Sequence, residues 1–336
     1  MTIAYIRPYD GELALVQAGL AEHTIVTADC VRDITDADRQ AVEVLCVFVD
    51  YEVTADVLDM LPNLKCIATR SAGFDHIAYE AAQVRGIVVT RVPHYGARTV
   101  AEYTVALMFA LSRNAYRAYT DMQRNANVQA VGTYEGFDLY GKTLGVVGTG
   151  AIGKSVCQIA RGIGMQVLAH DVQPDHEFAV KNGLRYADLD DVLAQSDLVT
   201  LHVPSLPDTY HLINEQKLAL MKSGSYLINT ARGEIVDTLA LVAALRLGHL
   251  AGAGLDVLEG EHELRSEIDL LSIDDKAHAQ FATLVADHAL IDMPNVIVTP
   301  HIAFNTVEAK REIIDVTIGN IEALVAGMPR NLVNHV

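Results

Sequence analysis

Basic residues are scarce in this sequence relative to acidic ones. Its 336 residues include 25 lysines and arginines against 43 aspartates and glutamates, which gives a formal net charge of −18 at pH 7. A surface this acidic repels the phosphate backbone of nucleic acids. Nucleic acids are therefore excluded as expected partners.

Cysteines and long apolar segments are also few. The four cysteines are far apart in the sequence and form no C-x-x-C pair, which indicates free thiols in a reducing compartment. The longest apolar candidate for a membrane span, residues 104–111, is too short for a bilayer. The N-terminus lacks the charged start and long apolar run of a signal peptide. We therefore expect a cytoplasmic protein that does not bind membranes.

Hydrophobic residues, by contrast, make up 51% of the sequence, enough for two buried cores in a chain of this length. Short β-branched segments alternate with helical ones from end to end, which favours parallel sheets with helical crossovers. Four strands are predicted in the first third, at 2–6, 44–49, 64–69 and 86–90. Six more follow in one block, at 143–147, 166–170, 198–203, 225–229, 253–257 and 296–300. Six consecutive strands make up a complete dinucleotide-binding fold.

Two helices are expected to join these blocks. Thr99 and Glu102 form a T-x-x-E capping box, and the helix that they predict, 100–112, is apolar almost all round. Such a helix should be buried between elements or subunits. Asn305 is the expected cap of a last helix, which ends before Gly327. Because no Gly/Ser-rich linker is present, a domain inserted within another domain fits better than two domains in tandem.

A G-x-G-x-x-G motif follows the first strand of the second block. Gly148 permits a tight turn, Gly150 lets the backbone approach a pyrophosphate, and Gly153 lets helix and strand pack closely. The amides of Ala151 and Ile152 would then point at phosphate oxygens at the start of a helix. An ordinary sharp turn from strand to helix is the alternative explanation of this pattern.

Asp171 ends the next predicted strand, where a carboxylate binds the adenosine ribose diol and repels a 2′-phosphate. Val172 and Gln173 supply no arginine for such a phosphate. NAD is therefore the predicted cofactor, in preference to NADP.

Three later strands end in a titratable or charged residue: Arg232, Glu261 and His301. Carboxyl ends of strands line the ligand crevice of a doubly wound sheet, so these side chains could converge. Arginine suits a substrate carboxylate, and histidine can exchange a proton with an alkoxide while a carboxylate orients it. Each residue also has a simpler explanation: a salt-bridge arginine, a solvated acidic loop and a packed histidine.

At these residues the chain resembles the D-isomer-specific 2-hydroxyacid dehydrogenase family. The motifs that carry the resemblance are RSAGFDHI (70–77), VVGTGAIGKSV (146–156), NTARGEIVD (229–237), LDVLEGE (255–261) and TPHIAFNT (299–306). The resemblance implies reversible hydride transfer between NADH and C2 of a 2-oxo acid. Arg232 would bind the substrate, Glu261 and His301 would form the acid/base pair, and no metal is expected.

The family fold consists of two doubly wound parallel-sheet domains of the Rossmann and flavodoxin-like type. The resemblance implies a substrate domain formed by 1–100 with 302–336. The NAD-binding domain, 101–301, would be inserted into it. A homodimer is implied as well.

The resemblance also assigns roles to further residues. Backbone amides at Ser71, Ala72 and Gly73 would hold the substrate carboxylate, with Tyr95 near the substrate. Residues expected at the cofactor are Val203 and Pro204 beside its adenosine part, Thr209 near its phosphates, and Thr230, Ala231, Asp256 and Ala303 near its nicotinamide.

The segments VPHYGARTVAE (92–102) and TPHIAFNT resemble the D-lactate dehydrogenase branch of the family, which makes pyruvate and D-lactate the expected pair. The stretch YGART departs from that branch. A hydroxypyruvate, glyoxylate or phosphoglycerate type of dehydrogenase therefore stays open, as does a non-catalytic NAD-sensing protein.

Overall fold

The computed structural model describes residues 1–9, 11–93, 95–125, 131–261 and 275–333. The chain forms two compact units, Met1–Gly96 with Asn305–Val336, and Ala97–Phe304. The second unit is therefore an insertion in the sequence of the first. The assignment of substrate binding to one unit and NAD binding to the other stays a prediction at this point.

The first unit contains a five-stranded sheet in the order β2-β1-β3-β4-β5, with all its strand pairs parallel. Its strands are β1 (Thr2–Ile6), β2 (Thr24–Ala28), β3 (Val42–Val47), β4 (Cys66–Thr69) and β5 (Val88–Thr90). Its helices are α1 (Glu12–Gly19), α2 (Asp36–Ala41), α3 (Ala55–Asp59), α4 (Tyr79–Val84) and α13 (Val307–Val325). Helix α13 buries Ile314 and Ile321 in one apolar cluster with Ile3 and Tyr5 of β1. The last helix thus completes the core of the first unit.

The second unit contains a seven-stranded parallel sheet in the order β12-β11-β10-β9-β6-β7-β8. Its strands are β6 (Thr143–Val147), β7 (Gln166–His170), β8 (Arg185–Tyr186), β9 (Leu198–Leu201), β10 (Ser225–Asn229), β11 (Leu250–Leu255) and β12 (Val296–Val298). Its helices are α5 (Ala97–Ser112), α6 (Ala115–Asn125), α7 (Ala151–Gly162), α8 (His176–Asn182), α9 (Leu189–Gln195), α10 (Glu215–Leu220), α11 (Thr238–Arg246) and α12 (Asp275–Asp292). The predicted α/β fold with two parallel sheets is confirmed.

Apolar clusters cover both faces of the seven-stranded sheet, which explains why its strands read as continuous apolar runs. Helix α5 packs directly on β11, because Gly254 leaves room for Leu107 and Leu111. All strands of a parallel sheet end at the same edge. The strand order reverses at β6, whose neighbours are β7 and β9. Ligands of doubly wound sheets bind at that point.

Both predicted helix caps were wrong in position. Helix α5 begins at Ala97, so Thr99 lies in its first turn and does not cap it. The cap of α13 is Thr306 rather than Asn305, because the Thr306 hydroxyl accepts a hydrogen bond from the amide of Ala309. Helix α5 was expected to be buried between elements or subunits. In the single chain it is not buried on all sides, because Phe109 is 44% exposed.

Two short strands at sheet edges, β2 and β8, were missed. Strand β2 is only half buried and β8 has two residues, so neither shows an apolar run. Two predicted strands, 198–203 and 296–300, are shorter in the structure, because β9 ends at Leu201 and β12 at Val298. The residues beyond them leave the sheet and form loops at its carboxyl edge. No helix in the described ranges is long and apolar enough to cross a membrane.

Candidate active site

A glycine turn joins β6 to α7 at the carboxyl edge of the seven-stranded sheet. Gly148 has a φ of +92°, and a Cβ atom there would lie 2.6 Å from the carbonyl oxygen of His202. A Cβ atom on Gly153 would overlap the carbonyl oxygen of Gly148. Glycine is therefore needed at both positions for packing. A Cβ atom on Gly150 would meet nothing within 4 Å, so the backbone is open to a ligand there.

Helix α7 begins at Ala151, directly after this turn. Its N-cap, Gly150, has no side chain, so the first-turn amides of Ala151 and Ile152 have no side-chain cap. Uncapped amides and the helix dipole attract an anion. The turn therefore fits the pyrophosphate of a dinucleotide.

Asp171 follows β7 and points back to the glycine turn. Its Oδ2 accepts hydrogen bonds from the amide of Thr149 at 2.6 Å and from the Thr149 hydroxyl at 2.8 Å. Its Oδ1 accepts one from the amide of Gln173 at 2.9 Å. Burial works to raise the pKa of Asp171, but these hydrogen bonds outweigh it and lower the pKa. The carboxylate is thus ionised and partly exposed, as a ribose ligand requires.

The segment after β9 lies against the other side of the glycine turn. A Cβ atom on Gly148 would come within 2.9 Å of Val203 Cγ1. Farther on, the Thr209 hydroxyl donates to the carbonyl of Pro204 at 2.7 Å and accepts from the amide of Leu206 at 2.8 Å. The Thr209 hydroxyl therefore stabilises its own loop, and its expected role near the phosphates stays a prediction.

Arg232 lies in the loop after β10, and Asn229 shapes that loop. The Asn229 side chain accepts from the amide of Ala231 at 3.0 Å and donates to the carbonyl of Arg232 at 2.7 Å. The Thr230 hydroxyl lies 2.9 Å from the Thr104 hydroxyl of α5, which anchors the loop on the helix. The loop after β10 thus has a defined backbone, with Arg232 partly buried.

Glu261 and His301 meet although they are far apart in sequence. Both carboxylate oxygens of Glu261 lie 3.2 Å from Nδ1 of His301. A nitrogen placed between two carboxylate oxygens acts as the donor, so Nδ1 carries a proton and Nε2 faces away from Glu261. Both side chains are partly exposed, at 23% and 21%. The pair can therefore exchange a proton with a ligand through Nε2.

Asp256 stabilises the backbone of the loop that contains His301. Its Oδ1 accepts from the Thr299 hydroxyl at 2.6 Å and the amide of Ile302 at 3.0 Å, and its Oδ2 accepts from the amide of Ala303 at 2.8 Å. Asp256 is 1% exposed, and burial raises its pKa despite these three bonds. His301 itself has a φ of +54°, an uncommon backbone conformation that this network maintains. The expected positions of Asp256 and Ala303 beside a nicotinamide stay predictions.

The residues of the second unit follow one another along the sheet edge in strand order. From β12 to β7, the residues at this edge lie in the spatial order His301, Asp256, Arg232, Val203, Gly148 and Asp171. Adjacent strands lie about 4.8 Å apart, so β10 is about 10 Å and β12 about 19 Å from β6. An extended dinucleotide with its pyrophosphate at the glycine turn would therefore reach towards Arg232 and His301.

In the first unit, a loop of small residues follows β4. The Ser71 hydroxyl donates to the carbonyl of Gly73 at 2.6 Å and lies 2.6 Å from the Thr69 hydroxyl. The amide of Val92 donates to the carbonyl of Ser71 at 2.9 Å. These bonds fix the backbone of Ser71, Ala72 and Gly73, the loop that the sequence assigned to a substrate carboxylate.

Tyr95 lies in the turn before α5 and is partly buried. Burial is the main cause that raises the pKa of Tyr9, and Tyr95 adds to it, so the two tyrosines lie within electrostatic reach of each other. Tyr95 and the Ser71–Gly73 loop therefore both belong to the first unit, whereas Arg232, Glu261 and His301 belong to the second.

Sequence reasoning missed a buried ion pair directly before the Ser71 loop. Arg70 is 0% exposed, its Nη1 lies 2.7 Å from Oε2 of Glu12, and its Nη2 donates to the carbonyl of Ile6 at 2.6 Å. Tyr5 also donates to Glu12. An arginine at the end of an apolar strand is the only sequence signal for this pair, because its partner is 58 residues away.

The chain matches a protein-family model, individual protein sequences and solved structures. Residues 105–303 match the family model described as D-isomer specific 2-hydroxyacid dehydrogenase, NAD binding domain. The chain is 42% identical over 283 residues to 2-hydroxyacid dehydrogenase homolog 1 of Schizosaccharomyces pombe, covering 83% of this chain and 81% of that protein. It is 39% identical over 311 residues to glyoxylate reductase of Thermofilum pendens, covering 91% and 84%.

Solved structures match over nearly the whole chain. D-lactate dehydrogenase from Aquifex aeolicus, complexed with NAD and lactic acid, matches with a TM-score of 0.83 at 34% identity. The match covers 97% of this chain and 96% of that one.

Proposed function

Because the chain belongs to the D-isomer-specific 2-hydroxyacid dehydrogenase family, we propose that it reduces pyruvate to D-lactate with NADH and catalyses the reverse reaction. The family, the oxidoreductase class and the NAD cofactor predicted from the sequence are confirmed. The substrate and the roles of individual residues are proposals.

The contact between Glu261 and His301 carries the proposal. Nδ1 of His301 lies 3.2 Å from both Glu261 oxygens, which leaves Nε2 to donate a proton to the oxygen at C2 of a 2-oxo acid. In the reverse direction Nε2 removes the proton from the hydroxyl. The Glu261 carboxylate orients the ring by accepting the hydrogen bond of Nδ1. When bound, NADH supplies the hydride, and NAD⁺ accepts it in the reverse reaction.

Arg232 binds the substrate carboxylate in this proposal. Its planar guanidinium suits a carboxylate, and it can also polarise the keto oxygen. In the first unit, the backbone amides of the Ser71–Gly73 loop and Tyr95 stay the proposed substrate-binding groups, as the family resemblance implies. A homodimer is the proposed assembly.

The residues that would hold NAD are those of the glycine turn and the strand end beside it. The amides of Ala151 and Ile152 would bind the pyrophosphate, for which Gly150 leaves space. The Asp171 carboxylate would accept hydrogen bonds from the ribose hydroxyls and repel a 2′-phosphate, since its lowered pKa keeps it ionised. We therefore propose NAD rather than NADP.

Pyruvate is supported by two sequence segments that resemble the D-lactate dehydrogenase branch and by the match to the Aquifex aeolicus enzyme. Glyoxylate is the second candidate, because a relative that is 39% identical is named glyoxylate reductase.

A substrate panel tests the proposal. Oxidation of NADH is followed with pyruvate, glyoxylate, hydroxypyruvate and phenylpyruvate, and the configuration of the product is determined. We expect the highest kcat/KM with pyruvate and a product of D configuration. A higher kcat/KM with glyoxylate would make glyoxylate the substrate in place of pyruvate. NADH binding without turnover of any of the four acids would favour an NAD-sensing protein instead.

Arg232→Ala tests the substrate contact within the same assay. We expect a higher KM for pyruvate together with a lower kcat, and an unchanged affinity for NADH. Wild-type kinetics in this variant would remove Arg232 from the substrate site.

A further inference from the structure

Glu259 lies two residues before Glu261, in the segment that follows β11. Its side chain is 14% exposed, and its Oε1 lies 2.6 Å from Nε2 of His211. Its Oε2 accepts a hydrogen bond from the amide of Thr238 at 3.2 Å. We propose that Glu259 is a positioning residue, which fixes the segment of Glu261 so that Glu261 stays in contact with His301. This inference rests on the proposed acid/base role of the Glu261–His301 pair.

One partner of Glu259, Thr238, directly follows the loop that carries Arg232, and the other, His211, lies in a separate segment that is paired with that loop. His211 donates its amide to the carbonyl of Glu234 at 2.8 Å, and Ile213 forms a parallel bridge with Val236. Thr238 is the first residue of α11, which follows that same loop. Glu259 therefore ties the segment of Glu261 to the loop of Arg232 through two separate hydrogen bonds.

The backbones of these two segments are also in direct contact. A Cβ atom on Gly233 would overlap the carbonyl of Leu258 and the amide nitrogen of Glu259. On the other side, the amide of Gly260 donates to Oδ2 of Asp287 at 2.9 Å, and Asp287 is fully buried in α12. The two residues that precede Glu261 are thus fixed from both sides.

His211 has a φ of +48°, which is uncommon for a residue other than glycine. Such a conformation persists where surrounding contacts impose it, and these are often functional regions. Here the contacts are the pairing with Glu234 and the bond to Glu259. The side chain of Tyr210 also stacks on the His211 ring, with 4.0 Å between ring centroids.

A positioning role and a purely structural one predict different results. A single partly buried histidine–carboxylate pair, with side chains 28% and 14% exposed, contributes less to global stability than a fully buried pair. A hydrogen bond such as that between Glu261 and His301 is lost when its partners separate by about 1 Å, and misplacement of that size can cost about 10²-fold in rate. Loss of Glu259 should therefore affect kcat far more than stability.

The first experiment compares Glu259→Ala with Asp190→Ala. Asp190 pairs with Lys217 between α9 and α10, so its loss removes the same charge and an ion pair in the same unit. The assay uses NADH and the best 2-oxo acid of the panel above, with NADH affinity from fluorescence titration and Tm. We expect a fall in kcat of about 10- to 100-fold for Glu259→Ala only. NADH affinity should be unchanged, and the shifts in Tm similar. An unchanged kcat for Glu259→Ala would overturn the inference.

A double variant distinguishes this inference from the proposed function. If Glu259 acts through Glu261, Glu259→Ala combined with Glu261→Gln should have the kcat of Glu261→Gln alone. Effects that multiply would overturn the positioning role while leaving the acid/base role intact. A wild-type kcat for Glu261→Gln would overturn the acid/base role and the inference with it.

Two further variants cover the case in which Glu259→Ala does not fold. Asparagine tolerates a positive φ but is too short to reach Glu259, so His211→Asn should also lower kcat. Glu259→Gln keeps an acceptor for Thr238 and should restore kcat towards the wild-type value. A wild-type kcat for His211→Asn would contradict the role of the His211–Glu259 contact.

Discussion

Two aspartates at the carboxyl edge of the same sheet, Asp171 and Asp256, differ in how deeply they are buried. Asp171 directly follows β7 and Asp256 directly follows β11, and each accepts three hydrogen bonds from two backbone amides and a threonine hydroxyl. Asp256 is 1% exposed, whereas Asp171 is partly exposed. Burial is the largest single influence on both carboxyl groups. It raises the pKa of Asp256, whereas at Asp171 the hydrogen bonds together outweigh it and lower the pKa.

The difference separates two uses of a carboxylate at a strand end. A buried carboxylate whose oxygens all serve the surrounding loop acts on the backbone, and Asp256 holds the loop of His301. A partly exposed carboxylate keeps acceptor capacity for a ligand, and Asp171 is suited to ribose hydroxyls. Position at the sheet edge therefore locates both residues, and burial decides what each one does.

The largest effect on activity should come from substitution of His301, which lies in the loop that Asp256 stabilises. His301→Ala removes the proposed proton donor, so we expect kcat to fall by about 10²–10⁴-fold with little change in stability. Steady-state assays and urea unfolding measure the two quantities. His249→Ala is the control, since His249 is a partly buried histidine of the same unit that bonds the carbonyl of Leu218. Equal kinetics in both variants would remove His301 from the reaction.

Substitution of Asp256 and of Asp171 should lower the free energy of unfolding by different amounts. Asp256→Ala leaves a buried amide, a partly buried amide and a hydroxyl without their acceptor, which should lower the free energy of unfolding by about 3 kcal/mol. Asp171→Ala should lower it by only about 1 kcal/mol, because the exposed amide of Gln173 bonds water instead, while Thr149 loses its acceptor. Urea unfolding of both variants measures the difference. Similar losses would mean that burial does not distinguish the two residues.

Removal of Asp171 should instead affect the cofactor. We expect Asp171→Ala to raise the KM for NADH by about tenfold or more, because a hydrogen bond to a charged acceptor is lost. The KM for NADPH should change much less, since the repulsion of a 2′-phosphate is lost as well. Parallel titrations of NADH and NADPH measure both values. Equal changes would contradict the preference for NAD.

The smallest effects are opposite pH dependences of stability. The folded-state pKa of Asp171 is lowered, so its contribution is present above about pH 3.9, its unfolded pKa, and is lost as the pH falls through the folded pKa. The folded-state pKa of Asp256 is raised, so its contribution is present below about pH 3.9 and is lost as the pH rises through the folded pKa.

Urea unfolding of Asp171→Asn, Asp256→Asn and the wild type between pH 3 and 7 measures these slopes. Relative to its variant, the wild type should lose stability towards low pH in the first comparison and gain it in the second. Slopes of the same sign would show that the two carboxylates share one environment.

Local patterns in the sequence were sufficient for the elements around the glycine turn. The apolar run of β6, the three glycines and Asp171 are close in sequence, and each has a direct physical reason for its position. The parallel order of the strands then brings Arg232 and His301 to the same edge, which the rule on carboxyl ends anticipates.

Contacts between distant segments were not visible in the same way. The three hydrogen bonds of Asp256 go to residues of its own edge that are more than 40 positions away, and no local pattern indicated them. Its expected position beside a nicotinamide stays a prediction. The Arg70–Glu12 pair and the His211–Glu259 contact escaped prediction for the same reason. Periodicity reports which face of an element is buried, and it carries no information on the partner of a buried charge.

A crystal structure with NADH and oxamate, an unreactive analogue of pyruvate, tests the central claim most directly. We predict the oxamate carboxylate on the Arg232 guanidinium, its carbonyl oxygen within hydrogen-bonding distance of His301 Nε2, and Glu261 still on Nδ1. Oxamate bound away from both Arg232 and His301 would contradict the proposed chemistry.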